Sequence, residues 1–170
     1  MNKVFLSFPT LLLCVGLASP LAAVELPMPG GEVILEATGQ IEVTNVSDSA
    51  QFDLEMLKSL EPIELTTSTI WTEGVHTFTG VPLKTLLDHL GIEAGTLRMT
   101  AINDYMVEVP VEDGVENGPI LAFAIDGELM SVRDKGPLWL IYPFDAEPKY
   151  RSEVYYSRSI WQLNRIEAVN

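Results

Sequence analysis

The sequence predicts an α+β protein in which strands outnumber short helices, with mixed or antiparallel sheets. Three observations lead there. Apolar or β-branched runs of strand length recur at Ile63 to Ile70, Ile120 to Ile125 and Leu138 to Tyr142. The firmest helical spacing is that of Leu83, Leu86, Leu87 and Leu90, which fall at i, i+3, i+4 and i+7. Turn-forming pairs, Asn103-Asp104 and Asp126-Gly127, break up the remaining runs.

Taken in chain order, Glu32 to Glu36 and Gln40 to Val43 read as a strand pair turned at Thr38-Gly39. Asp53 is placed to cap a short helix that runs to Leu60, with Leu54 and Leu57 inward and Pro62 as its stop. The Thr-rich run from Ile63 is a strand, and Trp71 to Thr77, with Gly74 inside it, reads as a loop. Pro82 suits the first turn of the leucine helix, and Gly91 sits where a C-cap glycine belongs. Thr96 to Ile102 and Tyr105 to Val109 are strands about the Asn103-Asp104 turn, and Ile120 to Ile125 leads into the Asp126-Gly127 hairpin. Leu138 to Tyr142 is a buried strand, and Trp161 to Val169 alternates as the last one.

The first residues follow another pattern. Lys3 gives a positive start, Phe5 to Leu17 an apolar stretch and Ser19 to Ala23 a small-residue exit, which is the layout of a signal peptide. The expectation is a signal peptide over residues 1–23, cut near Ala23, and a single domain over residues 24–170 exported to the periplasm. The apolar stretch is short for a bilayer span, so no direct membrane insertion is expected after cleavage. Cys14, the only cysteine, lies inside that stretch behind Leu11-Leu12-Leu13, a poor setting for lipidation. Without it, the remaining chain has no thiolate chemistry and no disulfide to hold it.

Removing residues 1–23 also removes Lys3, which leaves 9 basic against 24 acidic side chains, a net charge of −15. The charge is uneven: residues 24–132 carry −16, and residues 133–170 carry +1. A body of this sign repels nucleic acid and anionic lipid, so neither is an expected partner. Only two histidines are present, so no His or Cys cluster is available for zinc, copper or haem. No Gly-x-Ser-x-Gly elbow and no glycine-rich phosphate loop of the usual spacing occurs.

One series of motifs points further. Phe78-Thr79-Gly80-Val81-Pro82-Leu83 precedes Leu86-Leu87, and Asn103-Asp104-Tyr105 precedes Val109-Pro110. Ile120-Leu121-Ala122, Asp126-Gly127-Glu128-Leu129, Gly136-Pro137-Leu138, Tyr142-Pro143 and Trp161 with Ile166-Glu167 follow. In that order they resemble the oxidoreductase molybdopterin-binding domain family, with its sulfite-oxidase-type fold, over roughly Gly39 to Val169. No single motif is specific; the order is what carries the resemblance.

The resemblance implies two departures. Catalytic members ligate molybdenum through a cysteine about a dozen residues before the motif glycine, and that offset from Gly80 falls near Ser68, within Thr66-Thr67-Ser68-Thr69. A neutral hydroxyl is a poor substitute for a soft thiolate, so no molybdenum is expected. Many members also carry an arginine after the Gly-Pro-Leu motif, where this chain has Trp139.

The resemblance therefore implies a pocket for a pterin or molybdopterin-like ligand without the redox centre. It also implies a periplasmic sensor whose partner is the periplasmic part of an inner-membrane signalling protein, such as a cyclic diguanylate enzyme. The candidate pterin-binding residues are Ser68, Thr69, Trp71, His76, Asp104, Tyr105, Lys135, Tyr142, Arg151, Arg158 and Trp161. Trp71, Tyr105, Tyr142 and Trp161 could stack on the bicycle, and Asp104 or Glu73 could accept from its amino-pyrimidinone edge. Lys135, Arg151 and Arg158 could meet its carbonyl or a phosphate. Each has a plainer reading: the tryptophans as core, Asp104 as a turn residue, His76 as a surface histidine, and Tyr155 and Tyr156 as structural. Three functions remain open, namely a non-catalytic pterin sensor, a molybdopterin-dependent oxidoreductase with altered metal ligands, and an interaction protein with a vestigial pocket.

Overall fold

The structure is a computed structural model and describes residues 26–170. The signal peptide expected over residues 1–23 lies outside the described residues. Among the described residues no helix is long and apolar enough to cross a membrane.

Among the described residues, ten strands form two five-stranded sheets, accompanied by three short α-helices. The first sheet joins β1 (Leu35–Gly39), β2 (Ala50–Phe52), β5 (Thr96–Ala101), β6 (Met106–Pro110) and β10 (Leu163–Val169) in the order β2-β1-β10-β5-β6. The second joins β3 (Ile63–Ser68), β4 (Val75–Pro82), β7 (Ile120–Ile125) and β8 (Glu128–Leu129), with β9 (Trp139–Ile141) also on β7. Only β1 and β10 are parallel, and the other pairings are antiparallel. The α+β class with mixed, mostly antiparallel sheets expected from the sequence is present.

The strand pair expected at Glu32–Glu36 and Gln40–Val43 is not formed. β1 begins at Leu35, and Gly39, at φ 86°, lies so close to β10 that a Cβ would meet the Ala168 carbonyl oxygen at 2.1 Å. The chain then leaves the sheet, and the Glu42 N–H donates to the Leu90 carbonyl rather than to β1. Several further boundaries move, by one residue at β5, β6 and β9 and by two at the end of β3, which stops at Ser68. β4 starts at Val75, inside the expected loop, and β10 starts at Leu163 rather than Trp161.

Asp53 caps α1 (Leu54–Lys58) as expected, accepting the Met56 N–H at 2.9 Å, and it also takes the N–H groups of Gly30 and Gly31 at 2.8 Å. Those donors, the Met56 N–H foremost, hold its carboxyl below the usual carboxylate range. α2 (Leu83–Leu90) buries its four leucines and ends at Gly91 in the left-handed conformation, φ 71°.

Two apolar clusters result. The larger contains the α2 leucines together with Phe52, Leu97, Met99, Tyr142 and Phe144. The smaller contains Phe78, Ile120, Ala122, Trp139 and Ile141. Trp71 packs against both.

The motif glycine now has a physical reason. A Cβ at Gly80 would sit 2.2 Å from the Leu121 carbonyl oxygen and 2.5 Å from the Ala122 Cα, where the β4–β7 register shifts. Both neighbours are backbone and cannot rotate away. Gly80→Ala is expected to cost about 3 kcal/mol, the upper end of ordinary overpacking, as read by urea unfolding. An unchanged midpoint would refute the close approach.

Candidate functional site

Three segments converge on one cavity of about 440 Å³. Trp71 comes from the loop between β3 and β4. Ala101, Asn103 and Tyr105 come from the β5–β6 turn. The rest of the wall is Tyr156, Ser157, Ser159, Ile160, Trp161 and Gln162, which run from α3 (Glu153–Arg158) toward β10.

Backbone bonds set this convergence. Asp104 takes the left-handed conformation, φ 66°, that closes the β5–β6 turn, and Asn103 Oδ1 accepts the Tyr105 N–H at 3.2 Å. The Ile102 N–H donates to the Gln162 carbonyl at 2.9 Å, and the Gln162 N–H to the Lys135 carbonyl at 2.9 Å. Gln162 Nε2 adds a 2.6 Å bond to the Val132 carbonyl, so three separate loops meet at one residue. On the opposite wall, Thr69 Oγ1 accepts the N–H groups of Trp71 at 3.1 Å and Thr72 at 3.0 Å, which orients the tryptophan.

Trp71 is the centre of an aromatic array. Its ring meets Trp139, Phe144, Tyr156 and Trp161 edge-on, with centroids 5.8 to 6.2 Å apart. Lys135 Nζ stands 4.6 Å from the Trp161 ring centroid and 5.0 Å from that of Trp139.

Of the residues singled out from the sequence, Trp71, Tyr105 and Trp161 line the cavity, Asp104 sits in its turn, and Lys135 backs Trp161. The Asp104 carboxylate is paired with Arg165 at 2.5 Å. The others are elsewhere. Tyr142 is fully buried and presents no stacking face; its hydroxyl donates to Asp113 Oδ2 at 2.7 Å. Burial first, and that carboxylate second, push its phenol above the ordinary range. Arg158 donates to the same carboxylate at 2.9 Å.

Ser68 and Arg151 belong to a third group. Asp145 accepts the Ser68 N–H at 2.6 Å, the Ser68 hydroxyl at 2.9 Å and an Arg151 N–H at 2.9 Å. The Ser68 donors first, and Arg151 after them, hold the Asp145 carboxyl below its usual range. His76 faces Asp126 Oδ2 at 2.6 Å through Nδ1 and the Glu73 carbonyl at 3.0 Å through Nε2. Tyr156, read from sequence as structural, is a cavity residue, and Asn103, Ser157, Ser159 and Gln162 were not singled out at all. Nothing in sequence spacing shows that residues 101–105 and 156–162 share a wall.

A model of the oxidoreductase molybdopterin binding domain matches residues 34–146. The chain belongs to that family. The match ends before Tyr156, so six of the ten residues lining the cavity lie outside the matched residues of this oxidoreductase molybdopterin binding domain. Among solved structures, the fold is similar to that of the sulfane dehydrogenase SoxCD from Paracoccus pantotrophus, with a TM-score of 0.57 at 16% identity. The likeness covers 79% of this chain and 37% of that one, so this chain spans well under half of the solved relative. Comparison with curated proteins finds no match.

The donor set at the family's metal position does not fit molybdenum. Where the resemblance places a thiolate, Ser68 offers a hydroxyl whose hydrogen is committed to Asp145, itself tied to Arg151. Among the described residues no group of three His, Cys, Asp or Glu side chains converges as a metal site. The cavity, by contrast, has a volume in the range of small-molecule sites, and four of its ten lining residues, Trp71, Tyr105, Tyr156 and Trp161, are aromatic.

Two outcomes follow from this geometry. Trp71→Ala is expected to cost about 3 kcal/mol, because the ring is shared by both cores, whereas Tyr105→Ala at the exposed rim should stay within about 0.5 kcal/mol by urea unfolding. Equal effects would refute the ring's central place. The second outcome concerns pH. The Asp126 carboxylate raises the His76 pKa above the ordinary histidine value, so the pair stabilises the fold below that value and the gain is lost as pH rises through the folded one. The stability advantage of wild type over His76→Gln should shrink from pH 5.5 to 8.5; an advantage that grows instead would show the pair to be something other than imidazolium and carboxylate.

Proposed function

We propose that this chain is an exported, non-catalytic pterin-binding protein. It would report ligand occupancy to the periplasmic part of an inner-membrane signalling protein. The observation that carries the reading is a cavity with four aromatic lining residues in a molybdopterin-binding family member in which Ser68, near where the resemblance places the metal-ligating cysteine, has its hydroxyl bonded to Asp145. Aromatic walls without a soft metal ligand favour binding over redox turnover.

In this reading Trp71 and Trp161 supply the stacking faces, and Tyr105 and Tyr156 close over them. Thr69 holds the Trp71 turn, and Lys135 holds Trp161 from behind. Ser68 and Arg151 keep the β3 end fastened through Asp145 and do not touch the ligand. His76 and the Arg158–Asp113–Tyr142 group stiffen the frame.

The test combines two measurements on the mature protein expressed with molybdenum cofactor assembly intact. Elemental analysis should show no stoichiometric molybdenum, and titration with neopterin should quench tryptophan fluorescence to saturation. Tyr105→Ala should weaken that binding by about tenfold, the scale of one lost aromatic contact, with stability unchanged. Molybdenum near one per chain would favour the altered-ligand oxidoreductase. No binding by any pterin would favour the interaction protein with a vestigial pocket.

A further inference from the structure

The cavity is electrically neutral in a strongly acidic protein. Every side chain lining it is uncharged, while the whole chain carries −14. The cations that the resemblance would assign to a cofactor phosphate are already engaged. Arg158 Nη1 donates to both Asp113 oxygens, at 2.9 and 3.3 Å, and Tyr142 completes that carboxylate. Arg151 Nε donates to the Phe144 carbonyl at 2.9 Å while Nη2 donates to Asp145 at 2.9 Å. Arg165 is bound to Asp104, and Lys135 lies over two indole rings.

Taking Arg158 for a ligand phosphate would leave the half-buried Asp113 carboxylate without its cation, and placing the phosphate without it would leave a dianion among aromatic rings. Both are heavily penalised, since a charge removed from water needs a partner. What the walls do offer is amide chemistry. Asn103 spends its carbonyl on the Tyr105 N–H and keeps an amide N–H₂ donor, while Gln162 spends its N–H₂ on the Val132 carbonyl and keeps an acceptor. An unspent donor and an unspent acceptor suit a neutral ring that carries both a C=O and an N–H on its edge.

We propose that the cavity takes an uncharged, unphosphorylated flat heterocycle with an amide-like edge, and excludes its phosphate ester. This rests on the pterin reading above and narrows it: the ligand is a free pterin, not the phosphorylated pterin of molybdopterin.

Calorimetric titration of the mature protein with neopterin and with its monophosphate ester, each at low and high salt, tests it. The free pterin is expected to bind at least about tenfold more tightly, with little salt dependence. A phosphate ester that binds more tightly and weakens with salt would overturn the inference and leave the pterin reading standing. Binding of neither would overturn the pterin reading itself. Arg158→Gln separates the role of the arginine: it should lower the unfolding midpoint and leave the ratio of the two affinities unchanged. A loss confined to the phosphate ester would show that Arg158 serves a phosphate after all.

Discussion

The structure depends on the edge-on packing of Trp71 against four other rings. Edge-to-face contact directs the positive rim of one ring at the negative face of another, so each partner limits the tilt of the next. Trp71 makes these contacts on the seam between two apolar clusters, one built around the α2 leucines and one around Trp139. The cavity wall is therefore an extension of the core rather than a loop laid over it.

Charge in this protein is arranged inward as well as outward. The acidic excess lies over most of the surface, yet several basic side chains in the C-terminal segment fasten segments together. Arg158 ties α3 to Asp113, Arg151 ties the segment after β9 to the end of β3 through Asp145, and Arg165 ties β10 to the β5–β6 turn. A chain without disulfides in its described part thus gains links between distant segments from ion pairs and hydrogen bonds. Exposed pairs of this kind are individually weak. Arg158 is different, because its carboxylate also receives a buried phenol.

Much of the architecture was legible because it depends on local pattern. The leucine spacing from Leu83 to Leu90, the glycine after it, the Asp53 cap and the two turn-forming pairs all sit where the sequence puts them. The first strand pair was misread because period and turn propensity do not reveal a partner more than a hundred residues away, and β1 pairs with β10. The site divides in the same way. Trp71, Tyr105 and Trp161 were found by asking which rings stood near the family's motifs. Tyr142, Arg151 and Arg158 satisfied the same question, but their distant carboxylates, Asp113 and Asp145, decide where they point. Tyr156, Ser157, Ser159, Ile160 and Gln162 gave no such signal, because the place of this segment against the β5–β6 turn depends on backbone bonds of Gln162 to Ile102 and Lys135.

The position of β10 bears on how the chain acquires this structure. It is the last strand in sequence and the middle strand of its sheet, with β1 on one side and β5 on the other. Until residues 163–169 are present, the two halves of that sheet have nothing to join them, and the first strand waits for the last. A chain emerging from its amino end can form the β5–β6 hairpin early, but the sheet closes only once residues 163–169 have emerged as well.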